Sequence, residues 1–213
     1  MKTSLVSTFA IVALASSARA DVAVDWAKGL VTANGVGIAD RHAPNPAVAR
    51  GTSRRAAEDA ARAQLAKGLG ALPLAGGGKV GEHATGDAKA RLDRAVAQAI
   101  AVAAEPQTDG AWTVTMAVPI EAIRQALAAG PREVGVDGDH PPAIVIVDGV
   151  KAKPAIGWTV GGVKAATIWV KDVPAWAKDA PHVTATGAPA TKSGAIEVGG
   201  IVGGEATLYV IVQ

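Results

Sequence analysis

The residues able to do chemistry in this 213-residue chain are few and scattered. Asp137, Asp139 and His140 form its one tight group of ligand-type side chains. Calcium asks for more oxygens in a longer loop, and zinc for a third and fourth protein ligand from elsewhere, so the group reads as a solvated turn. His42, His83 and His182 each stand alone in the sequence with no nucleophile beside them, and the chain has no cysteine, which removes thiol chemistry. A hydrolase would need acids to converge in space from Asp137, Asp139, Asp148 or Asp172, and their spacing does not ask for that. Lys79 follows three glycines, yet a phosphate loop would need glycine where Pro73 stands and Ser or Thr where Val80 stands. Gly35-Val36-Gly37 lacks the third glycine of a dinucleotide fingerprint. No catalytic, cofactor-binding or metal-ligating residue is therefore assigned, no cofactor is expected, and the chain reads as a non-enzyme.

Composition narrows the partners. The first 20 residues have the form of a secretory signal peptide: Lys2, an apolar run from Leu5 to Ala15, then Ala18-Arg19-Ala20 as an A-x-A cleavage site. A retained membrane anchor is the lesser reading, since the run is shorter than the roughly 20 residues that span a bilayer. Cleavage after Ala20 predicts a periplasmic or secreted protein with no transmembrane segment in its mature form. The chain carries 21 Lys and Arg against 19 Asp and Glu, and Lys2 and Arg19 belong to the leader, leaving 19 against 19. That balance, without any basic run, excludes nucleic acid. Without cysteine there is no lipid anchor, and stability must come from a core rich in Ala, Val, Ile and Leu, since aromatic residues make up only 3%.

The elements that must hold these residues are clearest between Gly29 and Leu72. A strand over Leu30–Ala39 is interrupted at Asn34-Gly35, a hairpin turn or a bulge, with ligand approach to the glycines as a third reading. Asn45-Pro46 starts a helix whose apolar stripe is Ala57, Ala61, Leu65, Leu69 and Leu72. A stripe so rich in alanine must lie close to its partner, and a sheet is the natural one. Arg54, Glu58 and Arg62 form i,i+4 pairs on another face. A turn then leads to a short strand around Lys79–His83. A second helix is expected from Thr85 to about Ala104, with Leu92, Val96, Ile100 and Ala103 inward and Asp87–Arg91 and Lys89–Asp93 as surface pairs. Residues 111–118 alternate as a half-buried strand, Trp112, Val114, Met116 and Val118 on one face and Thr113 and Thr115 on the other. Pro119 starts a third helix with Ile120, Ile123 and Leu127 inward, capped by Gly130.

Residues 130–142 read as a linker. Beyond it AIVIVDGV, from Ala143, is a continuous apolar run ended by Asp148-Gly149, a buried strand followed by a turn. Short extended segments follow at Ile156–Val160, Ala166–Val170, His182–Thr186, Ala195–Val198 and Ala206–Val212, with one helical turn at Pro174–Lys178. Trp158, Trp169 and Trp176 read as large core residues of this part, and as a glycan or partner surface if they are exposed together. The expected organisation is a signal peptide at 1–20, an α+β domain at 21–129 with helices on one face of a sheet, the linker, and a smaller mainly β module at 143–213.

With these stretches in view, the chain resembles the twenty-kilodalton (LPP-20-like) bacterial lipoprotein family, flagellar P protein-like members included. The likeness rests on Asn34-Gly35-Val36-Gly37 ending a strand, on the helix carrying Ala56-Ala57-Glu58-Asp59-Ala60-Ala61-Arg62, and on the strand T-V-T-M-A-V-P-I leading into a helix. A following segment like AIVIVDGVKAKPAIGWTV extends the likeness over most of the mature chain. The resemblance implies an envelope protein with an α+β domain, found in oligomeric assemblies around flagellar or other surface structures, and brings no enzymatic site. This chain departs from it in lacking the lipid-accepting cysteine. Two functions follow as expectations: a structural or assembly component that associates with itself or other envelope proteins through sheet edges and small-residue helix faces, or a periplasmic binding module for a small ligand or glycan.

Overall fold

The computed structural model describes residues 22–128, 142–187, 193–200 and 203–213. It is an α+β protein with helices packed on a sheet and further sheets beyond it. The first sheet is antiparallel throughout, in the order β1 (Ala23–Asp25), β2 (Leu30–Gly37), β4 (Trp112–Pro119), β3 (Ile100–Pro106). Helix α1 (Pro46–Gly68) lies across β2 and β4. It begins as the sequence predicts: Asn45 is extended and its side-chain oxygen accepts the Val48 N–H at 3.0 Å. Ala57, Ala61, Leu65 and, just beyond the helix, Leu69 are fully buried. Glu58 is paired with both Arg54 and Arg62 on the wet side.

The glycines of β2 have a different purpose from the expected turn or bulge. Pairing with β4 runs in unbroken register from Leu30–Pro119 to Gly37–Trp112, straight through Asn34 and Gly35. Gly35 and Gly37 are on the face under α1, and the helix backbone rests on them. A Cβ at Gly35 would lie 2.0 Å from the Ala57 carbonyl oxygen, and one at Gly37 1.8 Å from that of Ser53. Alanines on the helix and glycines on the strand are two halves of one close contact. The small-residue face of α1 is thus spent within its own fold, which leaves sheet edges as the part of the association expectation with an exposed surface.

Two segments depart from the sequence reading. The second helix, α3 (Gly86–Ala97), stops seven residues before Ala104, and the chain turns at Gln98 into β3. Leu92 and Val96 are buried as expected, whereas Ile100 and Ala103 are exposed strand residues. A strand wet on both faces shows no alternation, so its apolar spacing continued the helical stripe by coincidence. Instead of a strand, Val80–His83 is a single helical turn, α2, whose Glu82 carboxylate accepts the Lys79 N–H at 2.9 Å. The i,i+4 pair Lys89–Asp93 forms at 3.1 Å. Asp87–Arg91 does not: Arg91 reaches across to α4 (Ile120–Leu127), donating to the carbonyls of Ala126 at 2.9 Å and Ala128 at 3.1 Å. Orphan carbonyls at a helix C-terminus are the stronger attraction for a guanidinium that can reach them. Ile120 and Ile123 face inward, with Leu127 half-buried.

The second part is mainly β. Its five-stranded sheet runs β11 (Val198–Gly199), β9 (His182–Ala185), β5 (Ile144–Asp148), β12 (Leu208–Val212), β8 (Ala166–Val170). The last four are mutually parallel and β11 is antiparallel. A small sheet of β6 (Thr159–Val160), β7 (Val163–Lys164) and β10 (Ala195–Ile196) covers one side. Parallel strands are covered on both faces, hence the continuous run Val145-Ile146-Val147, all fully buried. Val145, Val147, Tyr209, Ile211 and Trp169 face one core, and Ile146, Val210, Ile168 and Val170 face another.

Trp158 and Trp169 are core residues, their rings tilted at 60° with centroids 6.1 Å apart. Trp176 is not. The turn Ala175–Ala177 buries Ala177 and leaves Trp176 58% exposed. The two parts of the chain interlock: Ile156 hydrogen-bonds through its backbone with Ala75 and Pro73, and Trp169 with Trp26. The leader, the Gly130 cap and the Asp137, Asp139, His140 group lie outside the described residues, as does the linker except Pro142.

Candidate functional site

Most of the sequence's candidate groups are settled locally. His42 is exposed in a turn closed by the Asp40 carboxylate, which accepts the His42 N–H at 2.8 Å. Gly77 and Gly78 take positive φ in the turn before Lys79, and that turn is closed by Leu74 and Gly78. His182 does not stand alone: its Nδ1 lies 2.8 Å from Asp148 Oδ2, both side chains well exposed. No spacing in the sequence announces this pair, because it arises from β5 and β9 lying side by side. Among the described residues no group of three His, Cys, Asp or Glu could hold a metal ion. No helix among them is long and apolar enough to cross a membrane.

Two surfaces remain. The first is the outer edge of β3, which among the described residues pairs with β4 alone. Its residues are exposed almost throughout, Ile100 at 55% and Val102 at 48%. A register shift between Ala101 and Ala103 makes Val102 the extra residue of a bulge.

The second is an open cleft of about 1130 Å³ between the two parts of the chain. Helices α3 and α4 form one wall, and the turn at Leu74–Gly77, the loop at Ile156–Trp158 and β7 form the other. Arg91, Arg94, Arg124 and Lys164 all line it, with Glu205 as its acid. Their charges are not equally free. Arg124 is held by Glu121 through two hydrogen bonds of 2.7 and 2.6 Å. That carboxylate raises the guanidinium's pKa, burial acts against it, and the negative charges of Glu121 and Glu205 add to the rise. Arg91 is committed to neutral carbonyls, and among the described residues it has no ion-pair partner. Among the described residues the Arg94 guanidinium makes only a long contact, 3.5 Å, to the Ala90 carbonyl of its own helix. Lys164 pairs with Thr159 through its backbone, and among the described residues its ammonium has no hydrogen-bond or ion-pair partner. Trp158 forms part of the apolar lining beside Leu74 and Ile156, and its buried indole N–H has no acceptor. The sequence could not show this cleft, since its cations come from three separate segments. No protein-family model matches the chain, and no curated protein matches it.

Proposed function

We propose that this chain is an exported, non-enzymatic protein of the cell envelope that acts as an assembly component, pairing with further copies of itself through the edge of β3. The observation that carries the reading is the exposed seven-residue edge strand with Ile100 and Val102 bare on it. Such an edge offers unpaired backbone donors and acceptors to another strand, and twofold-related copies would join two four-stranded sheets into one of eight. The Lys2–Ala20 leader pattern supports export to the periplasm or beyond. The likeness to LPP-20-like proteins supports an envelope role, in a flagellum-associated or other surface structure. The test is the mass of residues 21–213 by light scattering on a sizing column. The expected result is a discrete oligomer that Ile100→Lys with Val102→Lys reduces to monomer at unchanged circular dichroism. A monomeric parent, or an oligomer indifferent to both lysines, overturns the reading.

The glycan-binding alternative loses its main support, because Trp158 and Trp169 are internal and Trp176 is solitary.

A further inference from the structure

We infer that the cleft between α3, α4 and β7 is a binding site for an acidic peptide segment, a function separate from assembly at β3. Charge comes first. Among the described residues Arg91, Arg94 and Lys164 bring three cations with no carboxylate partner, while the cleft's fourth, Arg124, is already matched by Glu121. Like charges gathered in a concave, partly apolar setting raise the local potential and attract anions. A guanidinium with both terminal nitrogens free, as on Arg94, suits a planar carboxylate, and a lysine suits a second one as a point charge.

Shape and lining choose among anions. A small inorganic anion would need a compact nest of donors, whereas these cations come from two walls, α3 and β7, of an open cleft of about 1130 Å³. An anionic glycan would be served by an exposed indole, and the one tryptophan here, Trp158, is 3% exposed. What the cleft does offer is apolar surface from the half-buried Leu74 and Leu127 next to the cations, and a side-chain amide from Gln98. Apolar and acidic side chains alternating along one extended backbone satisfy both.

The experiment titrates a fluorescein-labelled peptide of alternating Glu and Leu onto the full chain, followed by anisotropy at low and at physiological salt. The expected result is saturable binding that weakens with salt and is reduced about tenfold or more by Arg94→Glu with Lys164→Glu. Both residues are exposed, so the variant should melt with the parent. Arg55→Glu with Lys178→Glu, an equal charge change at exposed positions outside the cleft, should bind like the parent. Equal loss in both double variants would reduce the effect to net charge and overturn the site. So would absence of binding at low salt, or a heparin fragment that binds the cleft while the peptide does not.

Discussion

Substituting Gly35 by alanine tests the central contact of the fold. The new Cβ would sit 2.0 Å from the Ala57 carbonyl oxygen and 2.5 Å from the Ala61 nitrogen, where real contacts essentially never fall below 3.0 Å. Both obstacles are backbone of α1, so no side chain can swing aside. Relief requires the helix to withdraw from β2 by about 1 Å, and a gap of that size forfeits roughly a quarter to a half of each dispersion contact along it. Overpacking a core costs about 1–3 kcal/mol where side chains can adjust. With backbone on both sides the upper end applies, about 3 kcal/mol for Gly35→Ala. In a chain of this size each kcal/mol lowers Tm by roughly 2–4 °C, so a fall of about 6–12 °C is expected by circular dichroism. Gly51, within the same helix, is the matched control: a Cβ there meets nothing within 4 Å and its φ is not left-handed. Gly51→Ala should stabilise by about 0.5–1 kcal/mol. A Gly35→Ala protein that melts with the parent would refute the close-contact account of β2.

Asn45→Ala should cost about 1 kcal/mol, read as a lower urea midpoint at unchanged slope, because the Val48 N–H loses its acceptor. Trp176→Phe should remove most of the iodide-quenchable tryptophan emission while shifting stability by no more than about 0.5 kcal/mol, since that indole is the most exposed of the described large apolar side chains apart from Ile38 and Val36.

How much of this was legible follows from where each signal resides. Asn45-Pro46 and the Ala57–Leu69 stripe are local, and so is the alternation of 112–118, so the N-terminal cap, the long helix and β4 could be read directly. The run AIVIVD gave β5 because a strand buried on both faces is apolar at every position. The edge strand β3 was invisible for the opposite reason: exposed on both faces, it has no burial pattern to print on the sequence. Gly35 and Gly37 were visible as glycines, but their meaning lies in the matching alanines of α1, and that pairing exists only in three dimensions. The same holds for the cleft, whose arginines read as ordinary surface charges of two helices. Trp176 shows the limit of residue type as evidence, since a short turn set its neighbour Ala177 inward in its place.

The place of β12 has a consequence in time. Leu208–Val212 sits between β5 and β8, supplying the parallel neighbour of each. A chain that leaves the ribosome amino end first presents β5 and β8 well before the strand that joins them. Until then both present a bare apolar flank, and closing the sheet must wait for a contact across a long stretch of chain, the kind that forms slowly. The five-stranded sheet therefore closes only once Leu208–Val212 is in place, so its folding is tied to the last of its strands to emerge.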